Sequence, residues 1–158
     1  MPKRKNTPFV YIITGLLLVF YLFGDNISNG ASFHSPLVNH LTCHFFHANL
    51  FHLAANALCL FLMRPSPKQL LYAYPIAVLA TFCTTTPTVG ISAVIYAYIG
   101  LYIIYWRLSN YDLLTFIIAN IITIFIPNIA TTMHMVSFFI GLLCAMVYKR
   151  YEYRRLNS

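Results

Sequence analysis

Hydrophobic residues fall in long apolar runs along this chain, separated by short polar connections. A helix needs roughly 20 mostly apolar residues, with about 17 as a lower limit, to cross the hydrocarbon core of a bilayer. By that measure the pattern predicts six transmembrane helices, near residues 8–24, 48–63, 69–87, 90–106, 111–127 and 133–148. The second run is short and contains His52 and Asn56. The first follows Met1-Pro2-Lys3-Arg4-Lys5, which looks like the start of a signal peptide. Its apolar stretch is longer than a usual signal core and no small-x-small cleavage site follows, so it reads as a retained helix. Arg64-Pro65-Ser66-Pro67-Lys68 is a helix-breaking turn, and Thr84-Thr85-Thr86-Pro87 ends the third run. Residues 25–47 form the only long connection, rich in Asn, Ser and His. Its large apolar residues (Phe33, Leu37, Val38, Leu41, Phe45, Phe46) predict that it lies at the membrane interface. Neither internal repeats nor low-complexity segments are present.

Composition agrees with a membrane setting. Apolar residues make up 59% of the 158 and charged residues only 8%, where a soluble domain carries about a quarter. The mean hydropathy is +0.71. The length suits one domain, residues 1–158. The net charge of +7 could suggest a nucleic-acid partner, but the ten basic residues sit in short clusters between apolar runs. Lys3, Arg4 and Lys5 precede the first run, Arg64 and Lys68 lie between the second and third, Arg107 follows the fourth, and Lys149, Arg150, Arg154 and Arg155 follow the sixth. The alternate connections 25–47, 88–89 and 128–132 hold no Lys or Arg. The positive-inside rule therefore predicts both termini in the cytoplasm, with basic tails at 1–7 and 149–158. The expectation is an all-α membrane protein in a cell (inner) membrane, with the lipid bilayer as partner and no nucleic acid.

A polar side chain inside an apolar span is costly without a partner, so such residues are candidates for function. His52 and Asn56 lie four apart on one helical face, Ser92 two residues after Gly90, and His134 at the start of the sixth run. The charge-derived topology puts all four at similar depth near one side. Each has a bland reading alone: a serine bonding its own helix, an interfacial histidine, a His–Asn pair gluing helices. Together they suit nucleophilic chemistry. A serine hydroxyl needs a base to become a nucleophile, and histidine titrates in the right range. His52, the Asn56 amide and the Ser92 backbone N–H can donate to the oxyanion of a tetrahedral intermediate. Asp25, Asp112 and Glu152 all lie at span ends or in loops, so Ser92 and His134 read as a dyad. An H-E-x-x-H zinc motif and paired membrane aspartates are both absent. The cluster His34, His40, His44, His47 has no carboxylate or cysteine pair to complete a metal site, and the four cysteines form no CxxC pair. Neither a metal nor a cofactor is expected.

Gly90-Ile91-Ser92-Ala93, His47-x4-His52-x3-Asn56 and His134-x2-Ser137-x3-Gly141 together resemble the three motifs of the rhomboid intramembrane serine proteases, in order and on matching spans. The resemblance implies a six-helix rhomboid bundle with Ser92 as nucleophile, His134 as general base, and His52 and Asn56 in the oxyanion hole. It further implies that Tyr96, one turn beyond Ser92, stacks on the His134 ring. Ser137 and Gly141 would give a small-residue face that lets the fourth and sixth spans approach. Ala93 and Ser137 stand where the family pattern has glycine, and the long loop lacks the Trp-Arg pair many members carry. The implied activity is endopeptidase cleavage of single-pass or other transmembrane protein substrates, through an acyl-enzyme, near the periplasmic or extracellular face. The alternative is an inactive rhomboid-like protein that binds or escorts membrane clients; such proteins lose the Ser or the His, and both are present. A transporter or channel would carry polar residues through the full thickness, whereas spans 1, 3 and 5 are nearly devoid of ionisable groups.

Overall fold

The computed structural model describes residues 7–25, 28–104 and 130–156. They form helices α1 (Thr7–Phe23), α2 (Leu37–Thr42, continued by a 3-10 turn at Cys43–Phe45), α3 (Leu50–Met63), α4 (Pro67–Thr81), α5 (Ser92–Tyr102) and α6 (Thr131–Leu156). Among the described residues there is no strand, only an isolated antiparallel bridge between Ala31 and Thr88.

Local chemistry sets the helix ends. The Asn49 side chain caps α3 by accepting the His52 N–H at 2.8 Å. α3 stops where Arg64 turns left-handed, at φ 48°, immediately before Pro65. Ser66 and Gln69 close a reciprocal capping box, with Pro67 in the first turn of α4. Beyond Thr81, the N–H groups of Phe82, Cys83 and Thr84 bond three residues back instead of four. This tightening unwinds α4 and releases the chain toward α5.

α5 is the centre of the molecule, buried from Ser92 to Gly100 apart from Tyr96. It packs against α4 and α6, while α1 lies on α3. Two glycines bring the α5 and α6 backbones together. A Cβ on Gly141 would stand 2.5 Å from the Ala97 carbonyl oxygen, and one on Gly100 would overlap the Phe138 carbonyl. Only residues without a side chain permit that approach.

The six-span bundle predicted from hydropathy does not form. Among the described residues one helix, Thr131–Leu156, is long and apolar enough to cross a membrane. Leu37–Phe45 and Leu50–Met63, bent by 75°, add at most one broken span. At about 1.5 Å per residue, α1, α3, α4 and α5, with 17, 14, 15 and 11 residues, are about 25, 21, 22 and 16 Å long, short of the roughly 30 Å of a hydrocarbon core. Hydropathy counts apolar residues whatever backbone they adopt. Phe82 and Cys83 lie in the turn after α4, and the break at Gly90 delays α5 until Ser92. The assignment of basic residues to alternate sides, which rests on six crossings, falls with the bundle, as does the cytoplasmic placement of both termini derived from it. The run at 111–127, with Asp112, and Arg107 lie outside the described residues. α6 continues through the basic stretch, so Lys149–Arg155 are helical.

Segment 28–47 is tied to the α4–α5 connection. Ala31 and Thr88 exchange both backbone hydrogen bonds at 3.0 Å, and the Phe33 N–H reaches the Thr84 carbonyl at 2.8 Å. His40 is buried, 2.6 Å from the Thr81 hydroxyl and 3.2 Å from the Ser35 carbonyl, with its ring stacked on Phe82 at 3.8 Å. The Tyr74 hydroxyl donates to the Leu41 carbonyl.

Candidate active site

Ser92 opens α5 and His134 lies in the first turn of α6. Because these two helices pack along their lengths through Gly100 and Gly141, their starts meet. His134 Nε2 lies 2.7 Å from Ser92 Oγ, and both residues are 6% exposed. Tyr96, one turn along α5, lays its ring parallel to the imidazole, with centroids 4.4 Å apart and planes within 3°. The serine hydroxyl is thus in reach of a base whose ring orientation is fixed from both edge and face.

The approach to Ser92 is set by Gly90, whose φ of +126° is a conformation L side chains rarely adopt. Its N–H donates to the Cys43 carbonyl at 3.0 Å, which pins the turn to the segment before α3. A Cβ here would sit 2.5 Å from His52 Cε1, 2.8 Å from His52 Nε2 and 3.5 Å from Ser92 Oγ. The His52 ring and the serine hydroxyl therefore flank one point beside the glycine. Asn56 shares the His52 face one turn on and is buried, with its amide nitrogen unpartnered among the described residues.

Ile91 precedes α5 and supplies no side-chain cap. The first bond of the helical ladder runs from the Ile95 N–H to the Ile91 carbonyl. The amides of Ser92, Ala93 and Val94 thus stand outside it, at the positive end of the helix dipole. Together with His52 and the Asn56 amide they form a set of donors suited to developing negative charge beside Ser92 Oγ.

Among the described residues no carboxylate orients His134, whose Nδ1 is buried there without a partner. Asp25 instead accepts the Ser28 N–H at 3.1 Å. The four histidines of segment 34–47 do not converge. His34 packs on Phe33, His40 on Phe82, His44 on Tyr74, and His47 against His52 at 5.2 Å between centroids. Among the described residues no group of three or more His, Cys, Asp or Glu is placed to hold a metal ion. Burial, and then the neighbouring His52 ring, pushes His47 down to about 4.

Sequence reasoning missed several supports. The Cys43 carbonyl, Thr84 and Thr88 position the Gly90 turn through backbone bonds that leave no residue pattern, although the Thr88 hydroxyl also reaches the sulfur of buried Met133 at 3.4 Å. Gly100 did leave a signal, as a glycine inside an apolar helix.

No family model matches this chain, and no curated protein matches it.

Proposed function

We propose that this chain is a serine endopeptidase working through a Ser92–His134 dyad, of the rhomboid type that its three motifs resemble, on membrane-anchored protein substrates. The observation that carries the reading is the 2.7 Å contact between Ser92 Oγ and His134 Nε2, held under the stacked Tyr96 ring.

In this reaction His134 Nε2 takes the hydroxyl proton as Ser92 Oγ attacks the substrate carbonyl carbon. The carbonyl oxygen gains negative charge beside the first amides of α5, His52 and Asn56, where fixed donors lower the barrier. The tetrahedral intermediate collapses as His134 returns the proton to the leaving amine, which departs and leaves an ester on Ser92. Water, deprotonated by the same histidine, then hydrolyses the ester and regenerates the hydroxyl.

The membrane setting of the substrate is supported by surface chemistry. Large apolar side chains face outward on α1 (Tyr11, Phe23), α3 (Phe51, Leu62), α4 (Leu71) and α6 (Leu143, Val147). A surface of that kind suits lipid better than water.

The test is labelling of the detergent-purified protein with a fluorophosphonate, beside Ser92→Ala and His134→Ala. Labelling in wild type that both variants lose supports the proposal, and cleavage of a reconstituted single-span substrate by wild type alone would extend it to peptides. A folded wild type that takes no label overturns it.

A further inference from the structure

Two side-chain atoms of α6 are buried without a hydrogen-bond partner among the described residues: Nδ1 of His134 and Oγ of Ser137. Buried polar groups in folded proteins are satisfied in the great majority, so a pair of orphans on one helix calls for an explanation. The residues are three apart and share a helical face. Side chains on a helix lean toward its N-terminus, which carries the Ser137 hydroxyl toward the histidine.

The Nε2 edge and one face of the imidazole are taken. Ser92 Oγ holds the Nε2 edge and the Tyr96 ring covers one face. If Nε2 is to accept the serine proton, Nδ1 must carry the ring's own proton and act as a donor. A serine hydroxyl has two lone pairs and rotates between staggered positions, so it can serve as the acceptor. Ser137 is fully buried, and among the described residues His134 Nδ1 has no hydrogen-bond partner, carboxylate or otherwise.

We propose that Ser137 is a positioning residue, whose hydroxyl accepts the Nδ1 proton of His134 directly or through one bridging water. It thereby holds the imidazole in the tautomer that leaves Nε2 free for Ser92. A neutral hydroxyl here does part of what the third group of a Ser-His-Asp triad does. This rests on the dyad reading above, and the experiment separates the two.

Wild type, Ser137→Ala and Ser137→Gly are compared by the rate of fluorophosphonate inactivation, by thermal melting, and by 15N spectra of histidine-labelled protein. The His134 signal is assigned by difference from His134→Ala. Both replacements are smaller than serine, so neither overfills the interface. The expected result is about a tenfold slower inactivation in both variants, as for loss of one hydrogen bond, and a His134 signal that changes from one tautomer to a mixture. Wild-type rates with an unchanged His134 spectrum in both variants overturn the proposal. Should wild type itself take no label, the protease reading fails. The spectra then decide alone: a tautomer mixture in the variants still supports the Ser137–His134 bond, and an unchanged signal removes it.

Discussion

Replacing Gly90 by alanine tests the site where backbone and chemistry are most tightly joined. At φ +126° an L residue is in a region that is close to glycine-only, at a cost of about 1–3 kcal/mol. The new Cβ would also stand 2.5 Å from His52 Cε1, closer than real Cβ contacts come. The His52 backbone is fixed by the Asn49 cap, so the ring must swing away. Two consequences follow from one methyl group. The melting midpoint should fall by several degrees, at about 2–4 °C per kcal/mol for a chain of this size. Fluorophosphonate labelling should slow by about 100-fold, the usual scale for losing one oxyanion donor. A double-mutant cycle with His52→Ala, read on melting in detergent, isolates the clash. Without the imidazole only the backbone cost is left, so the two effects should be less than additive. A Gly90→Ala protein that melts and labels like wild type, or a cycle that is strictly additive, refutes this account of the turn.

Gly141→Ala should separate α5 from α6, because its Cβ would sit 2.5 Å from the Ala97 carbonyl oxygen. We expect a loss of about 1–3 kcal/mol from overpacking, with labelling lost as the dyad opens; unchanged melting would show that the helices have room to spare. His47 gives a pH prediction. Its pKa is pushed down to about 4 in the folded protein, against the ordinary 6.5 of a free histidine, so below pH 6.5 the unfolded chain takes up a proton that the folded chain refuses. Its contribution is complete above that pH and declines as pH falls toward 4, by up to about 3 kcal/mol. Thermal melts between pH 7 and 4.5 should therefore fall less steeply in His47→Gln than in wild type, and equal slopes would contradict the assignment.

The pairing of Ser92 with His134 was legible because both lie at helix starts, where a motif of a few residues fixes position: Ser92 two residues after a glycine break, and His134 at the head of a long apolar run. The same pattern misjudged the architecture. An apolar run does not say where its backbone stops being helical, and Phe82, Cys83 and Ile91 lie outside the helices they were counted into. Segment 28–47 was legible only as polar and aromatic. Its helix α2 and its bonds to Thr84, Thr88 and Gly90 arise from pairings with residues far along the chain, and these leave no periodicity to read. Gly90 was visible as a glycine, but its left-handed backbone and its closeness to His52 emerge only when α3 and α5 are packed together.

The Ser92–His134 contact spans 42 positions of sequence, and that separation orders events in time. During synthesis Ser92 leaves the ribosome well before His134. Until α6 docks along α5, Ser92 lacks its contact with His134. On the proposed mechanism, chemical competence would arrive together with closure of the α5–α6 seam, and a chain still being made, or one whose α6 has come loose, would be inert toward its neighbours.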